Sequence, residues 1–184
     1  MTVLSTLLTV SLTAACGGTA AEPTWVAPPS TAPAKPESTK VAKITSACRL
    51  LPASAVIKSL GGTAQTKLAG REDAAEKGKN GSVWRYCAFG RDGREPFVLG
   101  IGTLPNRAQT VKETIDNFAQ AGGTDLKRID GLGADAVGFV NGANRSVVSA
   151  VPFQRELRVV IFTGPKLVPQ DRLQTVVRQV VAQI

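Results

Sequence analysis

From position 46 onward the apolar residues recur at either helical or alternating spacing, and the switches between the two mark out successive elements. Ala53, Val56, Ile57 and Leu60 share one helical face. Pro52 suits the first turn of that helix and Gly61 its C-terminal cap. Residues 62–81 are polar and rich in Lys, Glu and Gly, so they read as a loop with a weak strand near 65–68. Two runs of strand type follow at 82–90 and 96–104, and the Asp92-Gly93 pair between them is hairpin chemistry. A second helix is expected from Pro105 or Asn106, with Ala108, Val111, Ile115 and Phe118 on one face and Gly122-Gly123 ending it. Three more strands are expected at 135–140, 146–154 and 156–164, with an Asn-Gly-Ala-Asn turn joining the first two. The last helix starts near Pro169 and carries Leu173, Val176, Val177, Val180, Val181 and Ile184 on the face that should cover a sheet.

This order predicts an α+β domain: an antiparallel sheet of about five strands with three helices packed on it. A doubly wound parallel fold is disfavoured, because the strands follow one another through turns too short for parallel crossovers.

The N-terminal stretch differs in kind. Residues 1–15 are mostly apolar, contain no Lys, Arg, Asp or Glu, and end in Ala14-Ala15 directly before Cys16. This resembles a lipobox, in which small residues admit the chain to a peptidase and the cysteine thiol takes a diacylglycerol. Thr13 stands where a lipobox usually has Leu, and the lack of Lys or Arg ahead of the apolar run leaves room for a start further upstream. The resemblance implies a signal peptide over 1–15 and a chain held by lipid on Cys16 at the extracytoplasmic face of the cell membrane. A secreted chain cut near Cys16, or a buried apolar N-terminal strand, are the alternatives. The run is too short for a membrane span. Residues 16–45 carry Pro23, Pro28, Pro29, Pro33 and Pro36 among small and polar residues, a composition that predicts an extended spacer before a single domain over 46–184. Trp25 in that spacer suits either the head-group level or solvent.

The chain carries a formal net charge of +8 at a sequence pI of about 9.8. A basic extracytoplasmic protein favours anionic partners such as lipid head groups and wall polymers, although solubility alone accounts for the charge. No basic run reaches five residues and aromatic residues make up only 5%, so nucleic acid is not expected as a partner. The chain has no His, which excludes Ser-His and Cys-His catalytic pairs and imidazole metal sites. With one of its three Cys assigned to lipid, Cys48 and Cys87 remain, and in an oxidising compartment they should form a structural disulfide. They lack the Cys-x-x-Cys spacing of a redox pair.

Other motifs do not survive inspection. Gly131 to Ala136, GLGADA, has the form of a dinucleotide fingerprint, but LKRID precedes it and a strand follows, so a tight turn is the better reading. The GIGTLP run from Gly100 ends in Pro and is weaker still. No cofactor or metal is expected. Glu113, Asp116, Asp130, Asp135 and Glu156 are the carboxylates available for glycoside chemistry, with nothing to single out two of them. Ser54 and Lys58 lack the Ser-x-x-Lys spacing of penicillin-binding enzymes.

Cys48 with Leu50-Leu51 and a helix ending in Leu-Gly-Gly, then Cys87 with Phe89, then Gly131 to Ala136, together resemble an actinobacterial lipoprotein family catalogued as a domain of unknown function. The likeness spans most of 46–184 and implies location, disulfide and fold class, but no activity. The expectation is a membrane-anchored, non-enzymatic binding or accessory module of the cell envelope. Its partner is an unidentified ligand or protein, with anionic ones favoured. The alternative is a carboxylate-dependent hydrolase or transferase acting on wall glycans.

Overall fold

The computed structural model describes residues 40–63 and 65–184, so the apolar leader, Cys16 and Trp25 lie outside the described residues. The elements are α1 (Ala47–Leu50), α2 (Ala53–Ser59), β1 (Ala69–Glu72), β2 (Glu76–Lys77), β3 (Val83–Arg91), β4 (Arg94–Leu104), α3 (Val111–Ala121), β5 (Thr124–Arg128), β6 (Asp135–Asn141), β7 (Asn144–Phe153), β8 (Glu156–Pro165) and α4 (Gln170–Val181). The fold is α+β. Its sheet runs β1-β3-β4-β8-β7-β6-β5, with β2 also paired to β3, and each pairing is antiparallel.

Among the described residues the sheet has eight strands rather than about five, and there are four helices rather than three. The strands added to the expected five are β1, β2 and β5, which sit at the sheet margins and are exposed along their length. Their backbones pair with neighbours while their side chains bury nothing, so they carry no hydrophobic alternation to betray them. The weak strand expected at 65–68 forms instead at 69–72. The additional helix, α1, is a single turn whose N-cap Ser46 accepts from the Arg49 N–H.

α3 begins at Val111, not at Pro105 or Asn106. Asn106 adopts φ +57°, the left-handed region, so the chain turns there before the helix can start. At the β3–β4 hairpin both central residues, Asp92 at +53° and Gly93 at +76°, have positive φ, as the sequence required.

Neighbouring residues on β7 divide the interior into two. Val147 joins Val176, Val177 and Val180 of α4, whereas Val148 joins Ile115 of α3. Successive strand residues face opposite ways, so α4 covers one side of the sheet and α3 the other. α2 packs against α4, and α1 against β3 on that same side, where Leu50, Leu51 and Val56 enter the larger core. Ile129, Leu132 and Ala136 belong to it too. Gly131 and Gly133, with φ of +67° and +69°, make the tight turn that delivers Leu132 to it.

Cys48 and Cys87 are joined in a disulfide with Cα atoms 5.1 Å apart, which ties α1 to β3. Residues 41–44, counted with the spacer on composition, are docked on the domain. Ile44 is buried, the Val41 N–H donates to Gln183, and the Val41 and Ala42 carbonyls accept from Arg158 at 2.6 and 2.9 Å. Arg158 is fully buried; it also donates to Glu156 at 2.7 Å and lies 3.5 Å above the Phe153 ring centre.

Candidate functional site

α3 packs on β6 and β7, and the cluster beneath it extends to Leu157 and Val159 of β8 with Trp84 and Leu104 against it; among the described residues no other helix packs on that side of the sheet. Between the C-terminal end of α3 and the ends of β6, β7 and β8 lies a cleft of about 420 Å³. Phe118, Phe139 and Ile161 supply apolar surface, and Asn141, Asn144, Ser146 and Thr163 supply uncharged polar groups. Ser146 and Thr163 are cross-strand partners on β7 and β8, and their hydroxyls are 2.8 Å apart. At the helix end Gly122 sits against Phe139, where a Cβ would lie 2.6 Å from the ring. The absence of a side chain there lets α3 stop close to the sheet.

The open face continues from Phe118 onto β3 and β4. Trp84 and Tyr86 alternate along β3 and therefore share one face, opposite Gly102 and Gly100 of β4. A Cβ on Gly102 would lie 2.7–2.8 Å from three successive atoms of the six-membered ring of Trp84. Such near-equal distances place it over the ring face, not at its edge, so the indole lies flat on the glycine backbone. At Gly100 a Cβ would come 3.0 and 3.2 Å from two atoms of the Tyr86 ring. The two ring planes differ by 11° and their centroids are 6.2 Å apart, close to the advance of two residues along a strand. They form a shallow platform whose inner faces rest on β4. Phe118 meets Trp84 edge-on at 6.5 Å and joins platform to cleft. At the outer margin the Tyr86 hydroxyl donates to Glu76 at 3.3 Å. Burial and the Glu76 charge push that phenol upward from its ordinary value.

The carboxylates considered from sequence lie elsewhere. Asp116 and Asp135 do come together, but around Arg128, which bonds to both, while Lys112 adds a contact to Asp116 at 2.6 Å. The hydrogen bond from Lys112, then that from Arg128, holds the Asp116 carboxyl below the usual range. A general acid needs the reverse displacement. Asp130 and Asp135 line a separate hollow beside the start of α3 together with Lys112 and Arg128. Glu113 is exposed, and Glu156 is engaged by Arg158. Ser54 and Lys58 are both exposed on α2. No cluster of three metal-ligating side chains occurs among the described residues.

Sequence reading placed Phe118 on the core face of a helix and left Trp84 and Tyr86 unremarked within a strand. A signal for the platform was present: Trp-x-Tyr on one arm of a hairpin opposes Gly-x-Gly on the other. The GIGTL glycines, weighed as a weaker form of the dinucleotide fingerprint, make room for two aromatic rings. No family model, curated protein or solved structure matches the chain.

Proposed function

We propose that this chain is an extracytoplasmic lipoprotein held at the membrane through Cys16, and that its domain is a binding module working through the open sheet face beside α3. The observation that carries the binding reading is the lining of the cleft. Its polar groups are amides and hydroxyls, with no carboxylate, amine or thiol among the lining residues, while the carboxylates weighed for catalysis are held by Arg128, Lys112 or Arg158, exposed on a helix, or set apart in another hollow. Such a surface suits holding a ligand better than breaking one. The disulfide between Cys48 and Cys87 supports export, since such bonds persist in oxidising compartments. Kinship with the actinobacterial lipoprotein family belongs to the same proposal and rests on the short motifs around Cys48, Cys87 and Gly131 alone.

Cell fractionation tests the anchor. The Cys16→Ser variant should leave the membrane fraction for the medium or wall fraction, because diacyl attachment is what makes retention stable. Retention of an unlipidated variant overturns it. Incubation with purified peptidoglycan tests the rest: no new reducing ends should appear, and their steady release would favour the alternative, the carboxylate-dependent hydrolase.

A further inference from the structure

We propose that the open face binds a neutral glycan, with sugar rings laid on the Trp84–Tyr86 platform and their hydroxyls met by the uncharged groups of the adjoining cleft. The inference rests on the binding-module reading and names its class of ligand.

The platform is the first argument. Strand residues two apart carry rings in nearly parallel planes, and each ring rests on the glycine opposite it. Both rings are half-buried, with their inner faces occupied by β4, which leaves the outer faces turned off the sheet. The C–H face of a pyranose is apolar and slightly positive, and it complements the negative face of an aromatic ring. Two near-parallel rings, 6.2 Å apart along the strand, offer this contact to successive sugars of a chain.

The cleft chemistry is the second. Asn141, Asn144, Ser146 and Thr163 can each donate and accept, as a row of sugar hydroxyls requires. The chain as a whole carries +8, yet no Lys or Arg lines this cleft, and Glu76 at the platform margin is negative. The nearest cation by register on this face, Arg71 opposite Ala88, is held by Asp73 and Glu95, so an anionic polymer or head group would find no free cation to pair with here. An acyl chain would strip water from four polar residues without replacing their hydrogen bonds. Nucleobases also stack on aromatic rings, but their phosphates need a basic track. An uncharged polyol satisfies both halves of the face.

The test uses the full-length protein in detergent, probed with an array of neutral oligosaccharides of graded length. Polyphosphate and phosphatidylglycerol vesicles serve as the competing anionic probes. At least one neutral series should bind, more tightly as it lengthens, and the bound sugar should perturb tryptophan emission. Trp84→Ala should weaken that binding about tenfold, the loss of one stacking contact. Thr163→Val and Asn144→Asp, which leave the platform untouched, should each weaken it severalfold and keep the tests decisive if Trp84→Ala unfolds. Failure of every neutral oligosaccharide to bind overturns the inference, as does preference for polyphosphate or vesicles. So does undiminished binding by folded Trp84→Ala or by both cleft variants. Those failures leave the anchor and the non-hydrolytic reading standing, because fractionation and reducing-end release report on them separately.

Discussion

Arg158 and Val41, 117 positions apart in sequence, are joined by a hydrogen bond of 2.6 Å from the guanidinium to the main-chain carbonyl. The same side chain holds Ala42 and Glu156, so one buried cation joins the Val41 N–H bond to Gln183 and the buried Ile44 in docking the residues ahead of α1. Its side chain is 0% exposed, whereas that of Glu156 is 28% exposed. Removing the cation leaves two carbonyls short of a donor and Glu156 able to reach water. Arg158→Ala should therefore destabilise by about 2–4 kcal/mol, and Glu156→Gln by about 1 kcal/mol, in urea unfolding. A loss under about 0.5 kcal/mol for Arg158→Ala would show that the docked segment holds without it.

The disulfide encloses a loop of sequence separation 39, for which the chain-entropy relation gives about 4 kcal/mol. Cys48→Ala paired with Cys87→Ala should lower the melting temperature strongly. Thiol labelling of the unfolded native protein should leave both sulfurs unreactive until reductant is added. Unchanged melting would mean that sheet and helices suffice alone.

Acid should loosen the same corner of the fold. Glu72 accepts from the Ser46 hydroxyl at 2.6 Å and from the Ala47 and Cys48 N–H groups at 2.8 and 2.9 Å. Burial pushes its carboxyl up, but these hydrogen bonds and the charge of Arg85 outweigh it and leave it below the ordinary value. A group depressed in the folded state stabilises above its unfolded value of about 4.3, and that contribution disappears as the pH falls through the folded value. The native protein should lose stability below about pH 4.3, and Glu72→Gln should show a lower plateau at pH 7 with a flatter acid limb. Parallel curves for the two proteins from pH 7 to 3 would remove Glu72 from the explanation.

Gly102→Ala tests whether the Trp84 ring depends on the glycine beneath it. The added methyl would stand 2.7–2.8 Å from ring atoms, so the indole must lift from the sheet. The expected cost is about 1–3 kcal/mol, with a shift in tryptophan emission. Unchanged emission would show that the ring was not seated there.

What could be read in the sequence follows from what each element buries. β3, β4, β6, β7, β8 and α4 each turn one or two rows of apolar side chains inward, and their spacing was visible. β5, the strand Thr-Asp-Leu-Lys-Arg, is exposed at every position and exists because Lys127 and Arg128 pair with Gly138 and Val137. α1 depends on a carboxylate 26 residues beyond its Ser46 cap. Neither cause is local, so neither leaves a local pattern. The cleft is further removed still, since it needs α3 to stop beside a cross-strand pair, Ser146 and Thr163, that only the β7–β8 register creates. The disulfide was legible because the choice among cysteines was so small.

Docking of residues 41–44 also decides how the domain bears load. A pull on the chain ahead of Val41 is met first by the hydrogen bonds to Arg158 and Gln183, near the start of β8 and the end of α4. Should those give way, peeling can advance only to Cys48. Beyond it the tension passes through the covalent bridge into Cys87, in the middle of a strand paired along its length with β4. The far end of β8, where Thr163 borders the cleft, lies outside that line of force. A tug strong enough to strip the first turn of helix would therefore load β3, the strand that carries Trp84 and Tyr86, before it reached the cleft.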